Sequence, residues 1–351
     1  MGPITKHILK VTASILIIII LAYAALVFLP RGNNYEGNNP MMKDGKMPTL
    51  IAHGGGNGEF PDNTLEAFYN AYSVDQNVMM ETDVSITRDG VVILSHDTRI
   101  DRKTDKTGNI YDWNYTDLID ERVDFSYTNR TKDEVLVEGS QLVKFKNENN
   151  VEVTPLDVDY PSGVAPRDDT VFLATTLEEL LVSFPNNKIN VEIKQSGEVG
   201  LLALEAVIEL LYRYDAFDRV VLASFHDEIY GEFKRYQREG LVPEEFMYSP
   251  ATGGAAVFFM LHTLGLDLFF GDKVCVLQLP DGYGIKIGDK ELTFNLATEG
   301  LVKKAHEHNV AVHYWTIDDK ETMRYLIGIG ADGIMTNYPK RLAEVYAECS
   351  E

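Results

Sequence analysis

From Thr176 to Ala347 short apolar runs alternate with amphipathic stretches at helical spacing, and that alternation leaves few folds open. Strand candidates are residues 188–194, 220–224, a weak one near Phe246, 274–278, 311–315 and 333–336. Helix candidates are 176–184, 201–214, 228–238, 297–309, 320–329 and 339–347. Strands separated by helices build a parallel sheet, because a crossover must return the chain before the next strand can start in the same direction. Two further strands, 49–53 and 78–85, precede this region. Between them, Asn63-Thr64-Leu65-Glu66 has capping-box spacing and predicts a helix running to Tyr72. Arg88-Asp89-Gly90 marks a tight turn into a strand at 91–95. That strand follows too soon for a crossover, so it must be an antiparallel hairpin partner. With it set aside, about eight strands alternate with helices, which predicts an α/β chain folded as a (β/α)8 TIM barrel.

Between Asp97 and Thr176 the periodicity fades and Asn, Asp, Lys, Thr, Tyr and Pro accumulate. A structureless segment of that length is unusual inside a compact domain. Residues 98–175 therefore read as an inserted subdomain after the second strand and its hairpin, or as a solvated excursion beside it.

The N-terminus is of another kind. Residues 11–30 are apolar but for Thr12, Ser14 and Tyr23, long enough to cross the hydrocarbon of a bilayer as one helix. Lys6 and Lys10 precede it, which favours a cytoplasmic 1–10 segment and an exported domain. Ala22-Tyr23-Ala24 resembles a cleavage site, so a signal peptide is the competing reading; it exports the domain equally. Residues 31–47 are rich in Asn, Gly, Pro and charge and read as a tether rather than a packed element. The barrel would occupy 48–351.

The 351 residues carry a formal net charge of −22, from 32 basic and 54 acidic side chains. That balance excludes nucleic acid as the main partner, since a polyanion needs a basic surface. A phosphate can still bind locally where a cation inverts the sign. Two cysteines, Cys275 and Cys349, make neither a disulfide framework nor a zinc site.

Chemistry concentrates at strand ends. Glu81 and Asp83 are two apart on a strand and so share a face. Glu192 ends another strand. Three carboxylates without cysteine suit a hard divalent cation, Ca2+ or Mg2+. His53 and His96 each end an apolar run, and a pair of imidazoles can serve as general base and general acid near neutral pH. Lys194 shares the face of Glu192, where its ammonium could hold a phosphate oxygen. Taken together, this set points to metal-assisted cleavage of a phosphate ester.

At these residues the sequence resembles the glycerophosphodiester phosphodiesterase family. His53-Gly54-Gly55, Pro61-Asp62-Asn63-Thr64, Glu81-Thr82-Asp83, Thr87-Arg88-Asp89-Gly90, His96-Asp97, Glu192-Ile193-Lys194, Trp315-Thr316-Ile317 and Gly333-Ile334-Met335-Thr336-Asn337-Tyr338-Pro339 follow the family pattern in order. The resemblance implies a TIM barrel with an insertion near the second strand. It implies a metal on Glu81, Asp83 and Glu192, acid–base catalysis by His53 and His96, and substrate contacts from Lys194 and Trp315. The products it implies are an alcohol and sn-glycerol 3-phosphate. Two positions depart from the pattern: Gly54 stands where Arg is common, and Asp62 where Glu is common. Gly54 removes a guanidinium that could bind phosphate or form an orienting ion pair.

Gln278-Leu279-Pro280 resembles a membrane-linked, lysophospholipase D-like branch of the family, which implies lysophospholipid head groups as alternative substrates. The apolar stretch from Ala251 to Phe270 reads as a packed barrel helix, or as a greasy rim admitting acyl chains. A third expectation is a non-catalytic, Ca2+-dependent module that binds phospho-head groups. Partners are thus a small-molecule or lipid-derived phosphodiester, and a membrane through the N-terminal helix.

Overall fold

The structure is a computed structural model that describes residues 2–128, 142–244, 246–287 and 290–350. Its strands are β1 (Thr49–Ala52), β2 (Met79–Ile86), β3 (Val92–Leu94), β4 (Ile189–Ile193), β5 (Val220–Ala223), β6 (Met247–Tyr248), β7 (Val276–Leu279), β8 (Gly282–Ile287), β9 (Lys290–Asn295), β10 (Ala311–Tyr314) and β11 (Gly333–Thr336). Its helices are α1 (Pro3–Phe28), α2 (Leu65–Val74), α3 (Tyr115–Asp120), α4 (Leu177–Ser183), α5 (Gly197–Arg213), α6 (Asp227–Arg238), α7 (Thr252–Thr263), α8 (Glu299–Glu307), α9 (Lys320–Gly328) and α10 (Pro339–Ser350).

Eight strands lie side by side, all parallel, in the order β6-β5-β4-β2-β1-β11-β10-β7. The outer two approach each other where the Cys275 amide donates to the Tyr248 carbonyl at 3.3 Å, so the barrel is nearly closed. β3 is the hairpin partner, antiparallel to β2 with Val84 opposite Leu94. Side chains alternate between two cores, as strand geometry requires. Leu50, Met80, Leu222, Leu277 and Ile334 face the helices. Ile51, Met79, Val221, Val276, Ala311 and Met335 form a separate cluster that fills the barrel. Helix starts are set by local chemistry. The Thr64 hydroxyl accepts from the Ala67 amide, and Thr176 with Glu179 forms a capping box.

Two features differ from the sequence expectation. First, the tether is packed over much of its length. Met41 is buried and joins the core inside the barrel, with Tyr35 beside it. The Asn34 amide donates to the carbonyls of Phe270 and Asp272, and the Asn39 amide to those of Cys275 and Asn309. The N-terminal end of a barrel exposes strand-edge carbonyls, and asparagines that look like linker residues satisfy them. Second, β8 and β9 form an inserted two-stranded antiparallel sheet between β7 and α8. The alternation at Tyr283, Ile285 and Ile287, followed by Gly288-Asp289, is a hairpin signal that the sequence reading passes over. The inserted segment after β3, expected as a subdomain or a solvated excursion, has its own small core, built from Ile93, Ile100, Ile110, Leu118, Val123, Phe125 and Ala174. Residues 129–141 of that insertion lie outside the described residues.

The apolar part of α1, His7–Phe28, is long enough to cross a membrane and is not buried against the barrel. Its end contacts the α7 region: the Tyr23 hydroxyl donates to the Leu264 carbonyl at 2.6 Å, and Arg31 pairs with buried Asp267.

Candidate active site

Strand register brings the chemistry together. Ala52 is paired with Met80, so His53, the residue after β1, stands level with Glu81 on β2. Asp83 lies opposite Glu192 on β4. Glu81, Asp83 and Glu192 each offer an oxygen, and these atoms lie within 4.8 Å of one another. Lys194 extends from the same strand, with Nζ 2.9 Å from Asp83 and 2.7 Å from Glu192. Its pKa is raised: burial works against the charge, and the two carboxylates outweigh burial.

Crowding three carboxylates at the floor of a mouth is electrostatically costly. Burial and the neighbouring Asp83 push Glu81 up to about 7, and burial raises Glu192 as well. Asp83 is lowered: burial opposes its charge, but Lys194 prevails. An all-oxygen donor set this close is chemically fitted to a hard divalent cation, and the residues present can hold one.

Each histidine is oriented through Nδ1. His53 Nδ1 meets the Asn337 side-chain oxygen at 2.7 Å, and the Asn337 amide in turn donates to Asp318 at 2.7 Å. His96 Nδ1 meets Asp97 at 2.9 Å, and Arg102 grips the other oxygen of that carboxylate. Acceptors at both Nδ1 positions assign the ring protons there, which leaves each Nε2 for the cleft. His53 is raised in pKa: burial disfavours its charge, and Glu81 and Asp83 more than offset this.

The two imidazoles sit where two clefts meet. A cleft of about 220 Å3 is lined by His53, Gly54, Asn57, Asp62, Asn63, Asp83, His96 and Arg102. A wider one of about 400 Å3 is lined by the same histidines with Glu81, Glu192, Lys194, Phe225, Gln278, Trp315 and others. Phe225 and Trp315 pack edge to face at 6.0 Å and give the wider cleft an aromatic wall. All seven residues singled out in the sequence thus reach one mouth.

Sequence reasoning missed the residues that hold them. Asn63 accepts from Thr82 Oγ1 at 2.7 Å and from the Asp83 amide at 3.1 Å, and donates to the Asp83 carboxylate at 3.1 Å. Asn63 and Asn337 fall within the motifs, which was the available signal. Asp318 and Arg102 carried none. Gly54 also has a reason to be glycine. Its φ is +54°, its amide donates to Glu81 at 2.8 Å, and a Cβ there would lie 2.8 Å from Asp62 Cβ. Asp62 pairs with Lys103, and although burial opposes its charge, Lys103 and Arg102 hold its carboxyl below the usual range.

The chain is 26% identical over 303 residues to lysophospholipase D GDPD1 of Rattus norvegicus, covering 84% of each chain. It is 24% identical to a glycerophosphodiester phosphodiesterase of Bacillus altitudinis, covering 86% of this chain and 99% of that one. The fold is shared with the glycerophosphoryl diester phosphodiesterase domain of a Mycobacterium tuberculosis protein, at TM-score 0.63 and 16% identity over 85% of this chain and 98% of that one. It is shared too with an Oleispira antarctica phosphodiesterase solved with sn-glycerol-3-phosphate, at TM-score 0.57 and 18% identity over 86% and 97%. The model of the glycerophosphoryl diester phosphodiesterase family matches residues 53–249 and 281–341, and the chain belongs to that family, as a phosphoric diester hydrolase.

Proposed function

We propose that this protein is a membrane-tethered, metal-dependent phosphodiesterase that hydrolyses glycerophosphodiesters to an alcohol and sn-glycerol 3-phosphate. The observation that carries the reading is the pair of imidazoles, each tied at Nδ1 by Asn337 or Asp97, facing one cleft above three clustered carboxylates. One Nε2 takes a proton from the attacking water, whose oxygen bonds to phosphorus as the P–O bond to the alcohol breaks, and the other gives a proton to the departing alcohol oxygen. Their fixed rings keep both groups in place throughout. Glu81, Asp83 and Glu192 would hold a Ca2+ or Mg2+ ion, which when bound supplies Lewis-acid polarisation of the phosphate oxygens. Lys194 and Trp315 line the wider cleft and contact the substrate there.

The helix α1 serves as an uncleaved anchor, with Lys6 and Lys10 on the cytoplasmic side and the barrel outside. Protease cleavage of the barrel in intact cells checks this orientation; full protection would reverse it. His53→Ala or Glu192→Ala should abolish turnover with the fold intact, and full activity in either would sink the assignment.

Lysophospholipid head groups are the second reading. The anchor ends against the α7 region, where Val257, Met260, Leu264 and Phe269 are exposed. An apolar surface beside an anchor favours substrates drawn from a bilayer, and relatives carry the name lysophospholipase D. Release of choline from lysophosphatidylcholine at a rate matching glycerophosphocholine supports it; no release rejects it.

A further inference from the structure

A phosphodiester entering this mouth brings a negative charge beside a cluster of carboxylates, so cationic side chains must help receive it alongside any divalent ion those carboxylates hold. The residue after His53 cannot: a Cβ on Gly54 would strike Asp62, and the backbone there is left-handed. Lys194 meets the substrate only with an ammonium that Asp83 and Glu192 already share. Lys103 is buried and spent on Asp62.

Arg102 remains. It lines the narrower cleft together with both histidines. Its Nε is held by Asp97, while its two terminal nitrogens make no hydrogen bond to the described residues. The fork is therefore oriented at one end and available at the other, the arrangement that suits bidentate recognition of a phosphate. The segment carrying it is fixed on both sides. Ile100 is packed in the small core after β3, and the Lys103–Asp62 pair ties the next residue to the loop that follows β1.

We propose that Arg102 binds a non-bridging oxygen of the substrate phosphate through its terminal nitrogens, so that the inserted segment, and not the residue after His53, supplies the phosphate-binding guanidinium. Lys103 and Asp62 act as the positioning pair that holds it. The proposal rests on the hydrolase reading above and names a contact within the same site.

The test uses the full chain in detergent micelles, with glycerophosphocholine as substrate and sn-glycerol 3-phosphate as competing ligand. Arg102→Ala should raise both the KM for the diester and the inhibition constant for sn-glycerol 3-phosphate by roughly tenfold to a hundredfold, the scale of a lost charge-assisted hydrogen bond. Arg102→Lys should recover part of this, and serves as the readout if the alanine variant melts early. Asp97→Asn should lower kcat and raise the inhibition constant by less than Arg102→Ala does. If Arg102→Ala lowers kcat but leaves KM and the inhibition constant as they were, Arg102 acts only through Asp97 and the proposal is overturned. Calorimetry separates this from failure of the hydrolase reading. A wild type that turns over no diester, yet binds sn-glycerol 3-phosphate in an Arg102-dependent way, keeps the proposal and loses the enzyme. A wild type that neither binds nor hydrolyses overturns both.

Discussion

His53 and Asn337 stand 284 residues apart, and the ring Nδ1 of one is 2.7 Å from the side-chain oxygen of the other. β1 and β11 are neighbours in the barrel, with Ala52 opposite Thr336, so the residues that follow each strand emerge side by side. The barrel does not merely collect the side chains of the candidate site; it supplies the second residue that sets the tautomer of the first.

Asn337→Ala should therefore leave His53 in place but free to rotate and to exchange tautomers. The expected result is a kcat lowered by roughly 10- to 100-fold with KM little changed, within the range over which a positioned acid–base group acts. Steady-state kinetics on a soluble diester measures it. An unchanged kcat would mean that the hydrogen bond has no part in holding the ring.

The carboxylate cluster predicts a pH-dependent stability. Glu81 is raised from the ordinary 4.5 to about 7 by burial and by Asp83. The folded, metal-free chain thus holds this proton more tightly than the unfolded chain. Its contribution is present in acid and is lost as pH rises from about 4.5 through about 7. Calcium or magnesium substitutes for the proton as the balancing charge and competes with it. The gain in Tm on adding either ion should then be larger at about pH 7.5 than at about pH 5.5. Equal gains at both would separate the metal from these carboxylates.

The strap across the barrel floor predicts where the chain can be cut. Removing residues 1–31 leaves Asn34, Tyr35, Asn39 and Met41 on the barrel; removing residues 1–46 takes them away. The longer deletion should cost roughly 2–5 kcal/mol beyond the shorter, from the emptied Met41 position and the unpaired carbonyls. Chemical denaturation of the two truncated proteins compares them, and equal midpoints would show the strap to be passive.

Gly54→Arg restores the side chain common in the family. Here it should destabilise by roughly 1–3 kcal/mol, because it needs a left-handed backbone and the space of Asp62. It should not raise kcat/KM. A stable and more active variant would refute the steric account of this position.

Most of the barrel was legible because most of its parallel strands are apolar runs followed by an amphipathic helix, and both periods survive in a single sequence. Six of the seven candidate residues were legible because they stand at or near the ends of such runs, and Trp315 only because it falls in a motif of the family pattern. The Asn34–Met41 strap was not, since its composition is that of a linker and only the carbonyls of the barrel floor give those asparagines a purpose. Asp318 and Arg102 were hidden for a similar reason. Each acts by a contact with a residue distant in sequence or within an irregular segment, and no local periodicity marks it. The β8–β9 hairpin could have been found from its alternation and the Gly-Asp dipeptide in the sequence that follows it.

The most direct measurement is head-group release by the full chain in detergent. Glycerophosphocholine, glycerophosphoethanolamine and lysophosphatidylcholine would each be tested with Ca2+, with Mg2+ and with chelator. The account predicts release of the alcohol from at least one diester, dependent on the divalent ion and lost in His53→Ala and His96→Ala. Release that persists in chelator, or in both histidine variants, would contradict it.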